Sequence, residues 1–364
     1  MKKITLIACA LLSSLTHSTV ALASAPSEIR WQQFNRAAIA SHIIPKYQNL
    51  AEQSAALSVN IEVFCSVRSD LQLSAAKQQF KLTLQAWQSI QHIQFGPVTL
   101  LMRNFSLQYW PDKKNLGGRQ LNTLLKQALG EDTQQAYDDE FFARASVAVK
   151  GYPAMERLLF DQKLLPQLTS NSSYCPLLEA ISKHVTQNTQ AIVSEWQLEL
   201  KNYQNYSEDD LYLSAKEAAT EILKALVEPI EAISDGKIAK PLGEQLSKMR
   251  WRKSESWRSG QSIANIRTNL NSLHHLYSGI TEANLKTLLI EADEEPLAQQ
   301  IDRQFKELVA ALETVAEPTG MQYVAAEFAQ LLHIKTQLKH LSDSLLASMK
   351  PLEISLGFNR RDGD

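Results

Sequence analysis

Glycine and proline together account for only 24 of the 364 residues, under 7%, where an average protein carries roughly 12% of the two. Sheet proteins need turn residues at short intervals: a sandwich or barrel turns every ~8–12 residues. A phosphate-binding loop needs several glycines close together. This chain can supply neither. At 44% hydrophobic and 21% charged residues, it has the apolar material for a core. It lacks the composition of a disordered chain or of a polytopic membrane protein. Long helices are what such a sequence can form, and the length exceeds one compact core, so two domains are expected.

The apolar spacing agrees. Tyr47, Leu50, Leu57, Ile61 and Phe64 follow Pro45 at helical intervals. Phe80, Leu84, Trp87 and Ile90 form a second run from about residue 75, which stops at Gly96-Pro97. A third helix over about 119–129 ends at Gly130, and a less regular fourth covers about 132–150. Gly151 breaks the chain, and Pro153 suits the first turn of a helix carrying Glu156, Leu158, Leu159 and Phe160. Pro176 opens a long helix that runs through Trp196. A polar stretch at 202–210 marks a boundary. Beyond it, periodic segments lie at about 211–233, 261–277, 281–290, 296–315 and 322–349, with Pro318 and Gly320 between the last two. The expected fold is all-α, with two antiparallel helical bundles at 24–205 and 206–364. A faint echo between Gly151…Glu156-Arg157-Leu158-Leu159 and Gly279…Leu285-Lys286-Thr287-Leu288-Leu289 suggests an ancient duplication. The aromatic and Asp-Gly-Asp ending, Gly357-Phe358 to Asp362-Gly363-Asp364, is expected to dock back on the fold.

The first residues read as a secretory signal peptide. Lys2 and Lys3 precede an apolar stretch from Ile4 to Leu12, and Ala21-Leu22-Ala23 fits the cleavage pattern, giving a signal at 1–23. Leu6-Ile7-Ala8-Cys9 has the letters of a lipoprotein box, but five residues between Lys3 and Cys9 are too few for an apolar core. No lipid anchor at Cys9 is expected. Without Lys2 and Lys3, 35 basic residues face 39 acidic ones, a net charge of −4. There is no basic stripe with interleaved aromatics, so nucleic acid is not an expected partner. No later segment has 18 uninterrupted apolar residues, so no transmembrane segment is expected in the mature chain. The expected location is the periplasm or cell envelope. In that oxidising compartment the remaining cysteines, Cys65 and Cys175, favour one disulfide. Two separate buried thiols are the alternative.

Few residues carry obvious chemistry. None of His42, His92, His184, His274, His275, His333 and His340 sits in a His-Glu-x-x-His motif. His333 and His340, seven apart, can share a helix face, and His274-His275 suits a helix C-terminus. A nucleophile elbow, a phosphate loop and a calcium loop are all absent. The function-type residues gather instead in irregular segments: Arg103 and Tyr109-Trp110-Pro111-Asp112; Gly151-Tyr152-Pro153-Ala154-Met155-Glu156; and Ser254-Glu255-Ser256-Trp257-Arg258-Ser259-Gly260. A purely structural reading of the last is also available, with Ser259 as a helix cap, Trp257 as a staple and Arg258 paired to a carboxylate.

These segments, with Trp87 to Gly96-Pro97, Asn265-Ile266 and the C-terminal ending, make the chain resemble the imelysin family of bacterial envelope proteins, in its iron-regulated protein A-like branch. The resemblance spans essentially the whole mature chain. It implies two helical bundles related by duplication, periplasmic or outer-membrane-associated residence, and a link to iron acquisition. Some members are described as metallopeptidases, with a Gly-x-His-x-x-Glu signature whose histidine and glutamate can bind one metal. Here Gly151 and Glu156 match, but Pro153 stands at the histidine position and has no lone pair to offer. What remains are hard oxygen donors, Glu156, Asp112 and Glu255, which suit ferric iron better than zinc. Tyr152, Pro153, Trp110, Arg103, Trp257 and Arg258 are candidates for the ligand cleft. The resemblance therefore implies non-catalytic binding of iron, an iron carrier or an envelope partner protein between the bundles. A metal-dependent peptidase is the alternative, and a scaffold for a neighbouring haem or redox protein a further one.

Overall fold

A computed structural model describes residues 25–129, 136–170, 172–204, 206–207, 210–281, 283–318 and 323–357. The expected signal peptide, Cys9, Gly130, Gly320 and the ending from Phe358 lie outside these residues. Among the described residues every regular element is helical and none is a strand.

Helix α1 (Glu28–Ala38) starts at Ser27, whose hydroxyl accepts from the Arg30 N–H, and runs through a π-helical segment (Ile39–Ile43) straight into α2 (Ile44–Val67). The rod is thus longer than Pro45 suggested. Proline cannot donate the intrahelical hydrogen bond, and the wider π turn ahead of it accommodates the gap. Ser69 caps α3 (Asp70–Gln88). After the Gly96-Pro97 break come α4 (Arg103–Leu107), α5 (Leu116–Ala128) and α6 (Asp139–Arg144). The last is much shorter than the expected fourth helix. Asp138 and Ser146 each cap a new start, so the chain breaks into α6 and a separate 3₁₀ turn at Val147–Val149. Next follow α7 (Tyr152–Phe160), opened by Pro153, then α8 (Leu165–Ser170) and α9 (Cys175–Glu199), opened by Pro176.

Beyond the polar stretch, α10 (Ala215–Glu231) leads through a second π segment (Ala232–Ala239) into the short α11 (Lys240–Leu242). Helix α12 (Ser262–His274) ends in a third π segment (His275–Gly279). Then come α13 (Leu285–Glu291), α14 (Glu295–Glu313) and α15 (Ala325–Ala347).

These helices close over two apolar cores. The first gathers Tyr47, Phe64, Phe80, Trp87, Leu158 and Trp196 from α2, α3, α7 and α9. The second gathers Ile222, Leu270, Tyr277, Phe305 and Leu338 from α10 to α15. Trp31 and Phe34 of α1 belong to the second core, although they precede the whole of the first in sequence. The α1–α2 rod therefore crosses from one core to the other at its π segment. At ~1.5–3 kcal/mol for each fully buried large apolar side chain, both cores are substantial. A disulfide joins Cys65 at the end of α2 to Cys175 at the start of α9, within the first core, with Cα atoms 5.6 Å apart. The chain follows the second core through Met349, Leu352 and Ile354 to Leu356.

Candidate functional site at the seam between the cores

Where α3 faces α12 the two cores meet through polar groups. At the centre is Lys237, presented by the second π segment and buried. Its Nζ lies 2.8 Å from Gln88 Oε1, 2.9 Å from Gln91 Oε1, 2.7 Å from Asn269 Oδ1 and 2.8 Å from Glu255 Oε2. An ammonium has three N–H donors, so these four oxygens more than saturate it. Burial lowers the Lys237 pKa, and the Glu255 carboxylate opposes that by favouring the charged form. Glu255 in turn accepts from Gln108 at 2.7 Å and from Asn265 at 3.1 Å. Asn269 donates back to the Gln88 carbonyl, and Ser272 to that of Ser89.

Further along the seam, the expected motif residues take structural partners. Gly151 is needed because Ser106 and Leu107 pass so close that a Cβ there would lie about 2.1 Å from a carbonyl oxygen. Pro153 sits in the first turn of α7. One turn on, the buried Glu156 accepts from the Ser259 N–H at 2.9 Å and its hydroxyl at 2.7 Å. Burial raises the Glu156 pKa, against the pull of those two hydrogen bonds and of Arg258 and Arg157. Arg258 lies over the Trp257 ring at 4.2 Å and pairs with Asp161 at 3.1 Å. Arg157 reaches Asn115 at 2.7 Å and Asp112 at 3.9 Å.

Asp112 also accepts from the N–H groups of Leu116 and Gly117 at the start of α5. The geometry brings Glu156, Asp112, Arg258 and Trp257 into one charged neighbourhood, with Glu255 by Lys237 alongside. Trp110 lies against Gly236, next to Lys237. Tyr152 and Arg103 are elsewhere. The Tyr152 ring packs on Phe80 and Trp87 inside the first core, and Arg103 makes a two-pronged pair with Glu195 of α9 at 2.5 and 2.8 Å.

The carboxylates do not fit a shared metal centre. A cation at Glu255 would have to displace an ammonium and three amide donors, from Gln91, Gln108 and Asn265, and Asp112 is held by backbone N–H groups. Glu156 serves Ser259, and Pro153 supplies nothing. Among the described residues, no group of three or more His, Cys, Asp and Glu side chains is arranged to hold a metal ion.

Sequence reasoning did not join three of its histidines. His42, in the first π segment, places Nδ1 2.9 Å from His275 Nδ1 and Nε2 3.0 Å from His92 Nε2. Burial is the main cause that depresses all three imidazoles, His92 to about 3, and Lys46 depresses them further. Each of the three π segments thus delivers a basic side chain to the seam: His42, Lys237 and His275. Such bulges concentrate at functional sites. The only signal for them in sequence is the proline that follows His42 and Lys237 at a short interval, Pro45 and Pro241.

An all-helical protein with two cores and a buried, hydrogen-bonded polar seam is the class these observations define. The imelysin family's sequence profile matches residues 43–345; the chain belongs to the imelysin family. Iron-regulated protein A of Synechococcus elongatus is 24% identical over 325 residues, 85% of this chain and 83% of that protein. Among solved structures, an imelysin-like protein from Psychrobacter arcticum 273-4 superposes with a TM-score of 0.74 at 21% identity, covering 92% of this chain and 99% of that one. An iron-regulated protein A precursor from Parabacteroides distasonis ATCC 8503 gives a TM-score of 0.72 at 15% identity, covering 89% and 96%. These likenesses establish the all-α fold. No helix among the described residues is long and apolar enough to cross a membrane.

Proposed function

We propose that this is an exported protein of the cell envelope, linked to iron acquisition, that works by binding rather than by hydrolysis. Because the seam carboxylates are already engaged, the ligand is an iron carrier or a partner protein rather than the bare ion, and it is received along the seam between the two cores. The observation that carries this reading is the state of the signature segment. Pro153 replaces the histidine, and the Glu156 carboxylate is spent on the Ser259 N–H and hydroxyl. A hydrolytic zinc site needs about three protein ligands and an open position for activated water. This segment offers one carboxylate already in use. The name of the Synechococcus relative supports the iron link, and the reading of residues 1–23 as a signal peptide supports export.

The test uses purified protein, loaded with ferrous or ferric iron and assayed for bound metal, alongside incubation with an unfolded protein substrate. Capture of an iron chelate, without cleavage, is the expected result. Chelator-sensitive cleavage that disappears in Glu156→Ala overturns it in favour of a peptidase. Binding of neither iron nor iron chelates overturns the carrier assignment and leaves a partner protein or the scaffold role.

A further inference from the structure

The loop that runs from the buried Trp251 to α12 is pinned from inside. The Ser254 N–H donates to the Trp251 carbonyl at 2.7 Å, the Gln261 N–H to that of Ser256 at 3.2 Å, and the Ser262 hydroxyl to that of Glu255 at 2.7 Å. Ser256 takes a left-handed φ of 54°, which turns the chain after the buried Glu255. The next two residues, Trp257 and Arg258, are half-buried. They therefore stand on a rigid turn.

The Trp257 ring has two guanidinium neighbours. The central carbon of Arg258 lies 4.2 Å from the ring centroid, and that of Arg252, from a 3₁₀ turn at Trp251–Lys253, lies 5.7 Å from it. Both distances run to one ring, so the two positive groups are held close together despite their mutual repulsion. Cation–π attraction of about 0.5–1 kcal/mol each at exposed sites fixes them without neutralising them. Arg258 gives its Nε–H to Asp161 at 3.1 Å, and its two terminal amino groups have no partner among the described residues. Arg252 is exposed and makes no hydrogen bond or ion pair with any described residue.

Counter-charge is scarce here. Lys248, Arg250, Arg252 and Lys253 follow one another with no acid between them. Of these, only Lys248 meets a carboxylate among the described residues, Glu244 at 3.7 Å. Glu255 is taken up by Lys237 and Glu156 by Ser259. Trp251 is buried against Tyr323, so the stretch offers no free ring for a nucleic-acid base. A guanidinium stacked on a ring presents its N–H fork edge-on, the geometry that grips a carboxylate with two prongs. Two such forks on one platform match a molecule carrying more than one carboxylate.

We propose that Arg252 and Arg258, set by the Trp257 ring, form a binding site for a small polycarboxylate at the rim of the seam. Arg258 adjoins Ser259, which engages Glu156, so the site lies beside the signature segment. It rests on the binding reading above and gives the iron carrier its chemistry: a ferric polycarboxylate chelate, held through carboxylate oxygens that the iron leaves free.

Calorimetric titration of the full mature chain at neutral pH and low salt tests this, with iron-free citrate, ferric citrate, inorganic phosphate and a cationic ferric trihydroxamate as probes. Citrate or its ferric chelate should bind more tightly than phosphate, and added salt should weaken it. Arg252→Gln removes a side chain that has no hydrogen bond to lose, so the fold should be unchanged. It should weaken citrate about tenfold, the worth of one charge-assisted hydrogen bond, and Arg258→Gln at least as much. Preference for ferric citrate identifies the loaded chelate and preference for citrate the free acid; either supports the site. Phosphate bound as tightly as citrate, or citrate affinity undiminished in Arg252→Gln, overturns it. Binding of the trihydroxamate but not of citrate also overturns it and leaves the carrier reading standing. Binding of none of the probes overturns the site and the carrier assignment together.

Discussion

Glu317 shows how a single residue sets a pH dependence. Its Oε1 accepts from the N–H groups of Ile263 at 2.5 Å and Ala264 at 3.4 Å, capping the start of α12 from a distant loop. Burial pushes its pKa up to about 7 from 4.5, only partly offset by those two N–H groups and by Lys81. In the unfolded chain the carboxyl loses its proton above about 4.5; folded, it keeps it to about 7. The stability it contributes is therefore complete below pH 4.5 and is lost as pH rises through 7. His92 and His184, held near 3 and 4 mainly by burial, act the other way. Their contribution is present above pH 6.5 and falls away on acidification. The two effects overlap between pH 4.5 and 6.5, so the difference between wild type and Glu317→Gln isolates the carboxyl. From pH 4.5 to 7.5 the variant should gain about 3 kcal/mol relative to wild type, read from urea unfolding at each pH. A flat difference would mean that water reaches the carboxylate.

Elements were more legible in sequence than their joins. Pro153 and Pro176 mark the starts of α7 and α9, and Gly96-Pro97 ends the run after α3, because these residues act through the backbone alone. The π segments were not legible: they depend on which neighbours the helix must meet, and periodicity averages over one extra residue per turn. For the same reason the sequence pointed to Glu156, Asp112 and Glu255 as residues of note but not to their partners. Ser259 lies 103 positions from Glu156 and Gln108 lies 147 from Glu255. The cysteines, too, are brought together by tertiary contact, pinning the end of α2 to the start of α9 across a separation of 110 residues. Opening a loop of that length costs about 2–5 kcal/mol. Cys65→Ala with Cys175→Ala should show that loss in urea unfolding, and reduced wild type should match it. Equal stability in all three forms would mean that helix packing alone fixes the α2–α9 contact.

At the scale of the whole molecule, two apolar cores are coupled by a seam that is itself polar. Polar interfaces between folded units resemble those of transient complexes and permit relative motion. Two features oppose that here: the α1–α2 rod, shared by both cores, and the buried Lys237–Glu255 pair. Removing one partner of such a pair leaves the other charge desolvated and alone, at a cost of about 3–5 kcal/mol. Lys237→Met should therefore destabilise strongly, and it should do so at the junction rather than within either core. In calorimetry the single unfolding transition expected of coupled cores should split in this variant. The alanine pair at the cysteines should then lower the transition of the first core alone. Glu255→Gln added to Lys237→Met should restore part of the coupling, since the neutral amide no longer carries a stranded charge and its one oxygen can still accept from Gln108. A single transition that merely moves to lower temperature in Lys237→Met would assign the coupling to the α1–α2 rod instead.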